Sequence, residues 1–518
     1  MNTRSPSFRV PLPGAHPHRI PHPGARSISV LRVPSWLTMG VLTLCGMVVS
    51  LQQTLVIPLL PELPSILGVS TGDASWLVTA TLLTGAVATP IVARTADMYG
   101  KRRMLLVALS AMTVGSLVAA LGGTFLSMLI GRAMQGFGAS LIPVGMSIMR
   151  DQLPKEKLAG GIALMSATLG IGSALGLPLS GVLYSAFGWT SLFWSSALAG
   201  AVLILTLLLV LDESSQRFPG RFDVPGALVL TIILVSVLLP LSKGASWGWA
   251  SGQVIGSLAL AAVSLAVWIP LQLRTREPMV NLRTAVRRPV LLTNVSSYFV
   301  GFAMFLNSLV TTQQLQVPTD TGYGLALPVA VAGLAMVPGG LMMLVLSPVS
   351  GRMINRWGGK PTLLNGGAVM GLTYLWRMFN HDAVREVVLG NMAVSMGSAI
   401  AFAAMPTLIM ASAPRSETAS ANGLNTLIRS LGTSSSSAVT ALVFASLTVT
   451  VDGAVFPSGR AMALALLLGV AVCTASVLFT VFVPGRERAG KEDEATGAGA
   501  SGSARARGSG DEDEKVES

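Results

Sequence analysis

Charge is what this sequence has least of. Asp, Glu, Lys and Arg make up 11% of its 518 residues, where a soluble domain carries about a quarter, so a water-soluble globular protein is excluded. There are two cysteines, Cys45 and Cys473, each inside an apolar run. That excludes a disulfide framework and a cysteine-built metal centre. Histidine is as scarce: His16, His18 and His22 sit near the start, and His381 is the one other. A membrane-embedded transferase needs His, Asp, Glu or Cys clustered at a membrane face, and no such cluster can be assembled here. No Asp or Glu stands in the middle of any long apolar run, and no ring-forming filter motif occurs, which argues against a passive channel. No enzyme activity, cofactor or bound metal is expected.

What is abundant is apolar sequence. Hydrophobic residues make up 51% of the chain and the mean hydropathy is +0.66. A membrane span needs roughly 20 apolar residues, and fourteen runs qualify. Six lie at about 36–58, 73–93, 104–123, 126–149, 158–186 and 190–211, and a pair at about 225–242 and 252–272. Six more lie at about 289–312, 328–352, 361–378, 386–410, 419–448 and 462–484. The expected fold class is an all-α integral membrane protein with fourteen transmembrane helices.

A repeat divides these spans. The turn Ala93-Arg94-Thr95-Ala96-Asp97-Met98-Tyr99-Gly100-Lys101-Arg102-Arg103 returns as Gly351-Arg352-Met353-Ile354-Asn355-Arg356-Trp357-Gly358-Gly359-Lys360-Pro361, 258 positions later. Duplicated halves are how many transporters are built. The offset exceeds the length of six spans by about the length of the pair, which implies six, an inserted two, then six. The expected domains are bundles at 36–211 and 289–485, joined by a linker at 212–288 that holds the extra pair.

The net charge of +12 sits in short loops and not on a phosphate-binding face, so no nucleic-acid partner is expected. Loops after even-numbered spans hold Lys101, Arg102, Arg103, Arg150, Lys155, Lys157, Arg217, Arg221, Arg274, Arg276, Arg283, Arg287, Arg288, Arg352, Arg356, Lys360 and Arg415. The opposite loops hold little beyond Lys243, Arg385 and Arg460, with Arg377 near a span end. The positive-inside rule then places both termini in the cytoplasm of a plasma-membrane protein. Residues 1–35, rich in Pro, Arg, Gly and His, and residues 486–518 read as disordered tails. The first has no apolar core of the signal-peptide kind.

Three places carry chemistry. Asp97 stands where the second span meets the basic loop, and pairing with a neighbouring helix end would make it a conformational latch. Gly100, Lys101, Arg102 and Arg103 complete that turn, and Arg356 is the expected counterpart in the second copy. Arg132 lies inside the fourth span, in Gly131-Arg132-Ala133-Met134-Gln135-Gly136-Phe137-Gly138. A buried cation costs several kcal/mol unless it faces a cavity or a partner. The matching place in the second half, Gly390-Asn391, has no charge, which marks Arg132 as specific to one half. In the fifth span Gly172, Gly176 and Gly181 permit close helix packing, and Pro178 permits a kink.

These features resemble the major facilitator superfamily, and within it the fourteen-span drug:proton antiporter branch, over about residues 36–485. Asp97, Gly100, Lys101 and Arg102 match its loop signature, with Ala93 in place of a Gly and Thr95 in place of a Leu. Arg132, Gln135, Gly136 and Gly138 match its fourth-span signature, whose Arg is implicated in proton handling. Gly172, Gly176, Pro178 and Gly181 look like its fifth-span antiporter signature, with the Pro one step late. The resemblance implies a monomeric exporter of small amphipathic compounds across the lipid bilayer, exchanging them for protons by alternating access.

One departure stands out, since Gln52 occupies the place of a usual Asp in the first span. The nearest carboxylates for proton coupling, alongside Arg132 and Gln52, are Glu62, Asp73 and Asp223, with Asp320 at another span end. Polar residues expected to face a cavity are Gln53, Gln135, Asn307, Gln313, Gln314, Asn391, Asn422, Asn425 and Arg429.

Overall fold

The computed structural model describes residues 34–56, 59, 63–213, 218, 220–451 and 454–484. Within them run fourteen long helices. The first six are α1 (Ser35–Leu55), α2 (Trp76–Tyr99), α3 (Lys101–Leu121), α4 (Phe125–Gln152), α5 (Lys155–Phe187) and α6 (Thr190–Val210). Then come α7 (Val224–Trp247) and α8 (Gly252–Arg274). The last six are α9 (Arg288–Gln316), α10 (Val329–Trp357), α11 (Gly359–Arg377), α12 (Val384–Ser412), α13 (Thr418–Ser446) and α14 (Gly459–Val481). Without water, backbone N–H and C=O groups must be satisfied inside the segment, and a helix does that. Side-chain caps start several of them: Thr124 for α4, Asp223 for α7, Ser251 for α8 and Ser458 for α14.

Eleven of the fourteen are long and apolar enough to cross a membrane. The other three are α5, α11 and α13. α11 carries Lys360 and Arg377, and α13 carries Asn422, Asn425, Arg429 and a Ser-rich stretch. The helix α4 tightens to a 3₁₀ form at Gly136–Ser140, inside the glycine-rich signature. A two-stranded hairpin, Thr448–Val451 with Ala454–Pro457, links α13 to α14 and pairs Thr448 with Pro457.

The first six helices pack among themselves, as do the last six, and the sets meet along two matching seams, α2 on α13 and α5 on α10. These seams are related by the sequence repeat, since α2 corresponds to α10 and α5 to α13. The inserted α7 lies across the join. Leu230, Ile233, Leu234 and Leu238 pack with Ala86 of α2 and with Leu427 of α13. Its neighbour α8 has a largely bare outer face, with Ile255, Val263 and Val267 each more than half exposed. On a membrane protein that is a lipid face.

The glycines of α5 divide. Gly172 and Gly176 lie one turn apart, where a Cβ would run into Ser50 and Thr54 of α1. Gly181 faces open space, so the packing role expected of it is corrected: five residues past Gly176 it is turned about 140° away. The helix runs continuously through position 178, whose side chain lies outside the described residues, as do Glu62, the histidines at 16, 18 and 22, and both tails.

Candidate functional site

Asp97 meets a neighbouring helix end, the start of α13. Asp97 is 1% exposed. Its carboxylate accepts from the backbone N–H of Ala419 at 3.1 Å, the N–H of Ser420 at 2.9 Å and the Ser420 hydroxyl at 3.0 Å. The first turn of a helix has unpaired N–H groups and the positive end of the macrodipole, so an anion there is stabilised twice. Arg150 of α4 donates to the Thr418 hydroxyl at 2.5 Å and to the Ala413 carbonyl at 3.5 Å. The linker before α9 holds the same place, with Asn281 and Thr284 donating to Glu417 at 2.7 and 2.8 Å.

The repeat supplies a weaker counterpart. Asn355, at the position of Asp97, donates to the Glu156 carbonyl at the start of α5 at 3.2 Å. The glycines Gly351 and Gly160 let the two helices touch there. Arg356, expected to share the gate, is instead exposed in the last turn of α10. The contact falls to its neighbour because Asn355, one residue earlier, is the position that reaches α5.

The basic turn is locked from within the first half. Lys101 is 2% exposed and pairs with Asp151 at 2.7 Å. Glu213 accepts from the N–H groups of Arg102 and Arg103, each at 3.2 Å, and so caps α3. Gly100 has φ +117, and a Cβ there would lie 2.8 Å from the Glu213 carboxylate. Gly100→Ala is expected to destabilise the fold by about 1–3 kcal/mol through backbone strain and displacement of Glu213. A lowered midpoint in detergent thermal unfolding checks it.

Arg132 is 1% exposed. It donates to the carbonyls of Leu77 at 3.2 Å and Gln52 at 3.4 Å, and to Gln135 Oε1 at 2.8 Å. Gln135 in turn donates to Ser116 at 2.9 Å. Gln52, expected to share a site with Arg132, meets it through its backbone carbonyl. The Gln52 amide nitrogen is buried with no hydrogen-bond partner. Among the described residues no carboxylate pairs with Arg132.

The place matching Arg132 is uncharged, at Gly390-Asn391, but the second half buries a guanidinium elsewhere, that of Arg377. This residue, the last of α11 and 1% exposed, donates to Asn307 at 2.6 Å, Thr311 at 3.1 Å and Gln314 at 3.1 Å. Its stem passes over Gly390, where a Cβ would lie 2.7 Å from it. The position 258 residues earlier is Ala119, which in the first half faces Gly131. Both halves thus bury a guanidinium near the same helix crossing, but α4 supplies it in one and α11 in the other.

Asn307 also donates to Asn391 at 2.7 Å, and Asn425 donates to Asn294 and Ser297 at 2.9 and 2.7 Å. These candidates therefore bind helix to helix. Arg377→Met would take a donor from three side-chain acceptors in the second half, and a loss of about 2–4 kcal/mol is expected. Thermal unfolding measures that loss, and a midpoint at the parent value would show the network to be dispensable. Gln53 is half-buried, and Gln313 lies beside Tyr323.

The acidic candidates have local duties. Asp73 is exposed and accepts from Ser70 at 2.7 Å. Asp223 is buried and accepts from Gly226 N–H, Gln272 and Met279 N–H at 2.9, 2.6 and 3.2 Å. Neither is among the partners of Arg132.

A two-halved, multi-span helical protein whose halves are clasped by a charge at one face belongs to a class built to switch between conformations. The sequence model of the Major Facilitator Superfamily matches residues 42–437, and the chain belongs to that family. It is a transporter and not an enzyme. It is 28% identical over 389 residues to the multidrug resistance protein Stp of Mycobacterium tuberculosis, covering 74% of this chain and 71% of the relative. It is 28% identical over 424 residues to the tetracenomycin C resistance and export protein of Streptomyces glaucescens, covering 81% and 77%. The crystal structure of the human organic anion transporter MFSD10 superposes with a TM-score of 0.61 at 16% identity, covering 87% of this chain and all of that one. At that identity the likeness shows the fold alone.

Proposed function

We propose that the chain exports small amphipathic compounds, antibiotics and dyes among them, across the cell membrane by alternating access in exchange for protons. All fourteen helices cross the bilayer in this reading, as two bundles of six with α7 and α8 inserted. Both termini lie in the cytoplasm, and one chain suffices.

The clasp of Asp97 on α13 carries the reading. It joins helices 322 positions apart at the basic face, where Arg150 and Asn355 also cross between the halves. Closure there leaves the opposite side to open, and breaking it would release the halves to rock the other way. The relatives named for multidrug resistance and for export of tetracenomycin C support a drug-like cargo. The second of these also supports an alternative, a dedicated exporter of one endogenous product. Proton exchange rests on Arg132 and its match to the fourth-span signature.

Cells expressing the chain would be loaded with neutral, cationic and anionic dyes, and efflux followed before and after collapse of the proton gradient. Export of at least one dye, ending on collapse, is the expected result. Export of none, with the protein in the membrane, would overturn the multidrug reading in favour of a narrow cargo. Efflux that outlasts the gradient would remove proton coupling.

A further inference from the structure

Arg429 has no place in the networks described so far. It is the twelfth residue of the 29-residue α13, about 16 Å from the start of that helix and so near the middle of the bilayer. It is 7% exposed, and its guanidinium lies 4.9 Å above the ring of Phe402 from α12. Gly301 lets α9 close against its stem. No hydrogen bond or carboxylate partner engages it among the described residues.

Arg132 and Arg377 lack carboxylate partners too, and the two buried acids of the described residues, Asp97 and Asp223, are occupied at helix ends. Among the described residues the spans therefore bury three guanidinium groups and no carboxylate to balance them. Further along α13, Ser436 and Thr440 follow Arg429 by seven and eleven residues, within about 20° of the same face. Their hydroxyl oxygens are buried without hydrogen-bond partners.

We propose that Arg429, seated on Phe402, is the recognition site for an acidic cargo that presents a carboxylate, sulfonate or acidic phenol. The proposal rests on the transporter reading and adds its chemical class. A guanidinium offers a planar fork that matches an oxyanion, and the buried Phe402 ring beneath it holds that fork in place. A cation without a counter-ion in a medium of low dielectric gains most from a ligand that brings one. The cargo supplies the carboxylate that the spans lack.

Two dyes on one xanthene frame separate the possibilities: fluorescein, an anion, and rhodamine 123, a cation. Binding to the purified full-length protein would be read by fluorescence anisotropy, and export from proteoliposomes followed under an imposed proton gradient. Fluorescein is expected to bind at least about tenfold more tightly than rhodamine 123. Arg429→Gln should weaken fluorescein by about tenfold or more, with partial recovery in Arg429→Lys. If Arg429→Gln fails to fold, Phe402→Leu carries the test, with a severalfold loss for fluorescein expected.

Equal affinity for the two dyes, or unchanged fluorescein binding in the variants that fold, overturns the proposal. Export of rhodamine 123 without fluorescein also overturns it while leaving the transporter reading intact. Fluorescein binding that depends on Arg429, with neither dye exported, sustains the site and sinks the multidrug reading.

Discussion

Arg132→Met is expected to reduce transport about a hundredfold or more, equivalent to ~2.7 kcal/mol, while leaving the folded protein about as stable as the parent. The two halves of this expectation come from the same geometry. Two of the three acceptors of Arg132 are the backbone carbonyls of Leu77 and Gln52; Leu77 keeps the Thr81 hydroxyl as a donor, and the Gln52 contact, at 3.4 Å, is the longest of the three. Gln135 Oε1 loses its short bond, at a cost of about 1–3 kcal/mol. Against that, an apolar side chain of similar reach removes the desolvation cost of a buried cation that has no counter-ion.

The stability change should therefore be near zero, in contrast to Arg377→Met, where three side-chain acceptors lose a donor. A residue that the fold would be no worse without must be kept for what the charge does during the cycle. Efflux and thermal unfolding measured on the same preparation decide it. A midpoint that falls in step with transport would make Arg132 a structural residue. Arg132→Lys should fall between, because a point charge cannot serve Leu77, Gln52 and Gln135 in one geometry.

The membrane class, the positions of the helices and the contact of Asp97 with a helix end were legible for physical reasons. About twenty apolar residues are needed to cross a bilayer, and the predicted spans differ from the helices mainly by a turn at their ends. α11 and α13 were read as apolar runs too, although their polar residues dilute the signal. The contact of Asp97 was readable because an acid in a basic, glycine-containing turn needs a partner. That the partner is Ala419 and Ser420 was not readable, because nothing local ties residues 322 positions apart.

Arg377 was passed over for an instructive reason. A basic residue at a span end has the look of a topology signal, and only the packing of α11 over Gly390 turns it inward. The same packing explains why the repeat misled. An offset in sequence finds the same position on the same helix, whereas the two halves conserve a charge in space and draw it from different helices. The position of α7 across the join was likewise hidden, since Leu230 and Leu234 would read the same if they faced lipid.

Asp97→Asn is expected to open the clasp and cut efflux about tenfold or more. Three donors converge on the carboxylate, one on Oδ1 and two on Oδ2, and an amide cannot meet them all. Whichever way it turns, its NH₂ faces an N–H group of α13, and the attraction of an anion for the helix start is gone. Hydrogen bonds to a charged group contribute about 1.5–3 kcal/mol, so a loss near 2 kcal/mol moves the closed-to-open ratio about thirtyfold.

The chain provides its own quiet background for measuring this, because Cys45 and Cys473 are both buried. A cysteine introduced at Ala421, 7% exposed beside the clasp, should react slowly with a thiol reagent in the parent. In the Asp97→Asn protein it should react about tenfold faster. Faster labelling with reduced efflux is what a gate predicts, since a cycle that cannot close one face cannot deliver cargo to the other. Unchanged labelling together with efflux at the parent rate would mean that Asp97 fastens the halves in this one arrangement without governing their exchange. The alternating-access reading would then need a different hinge.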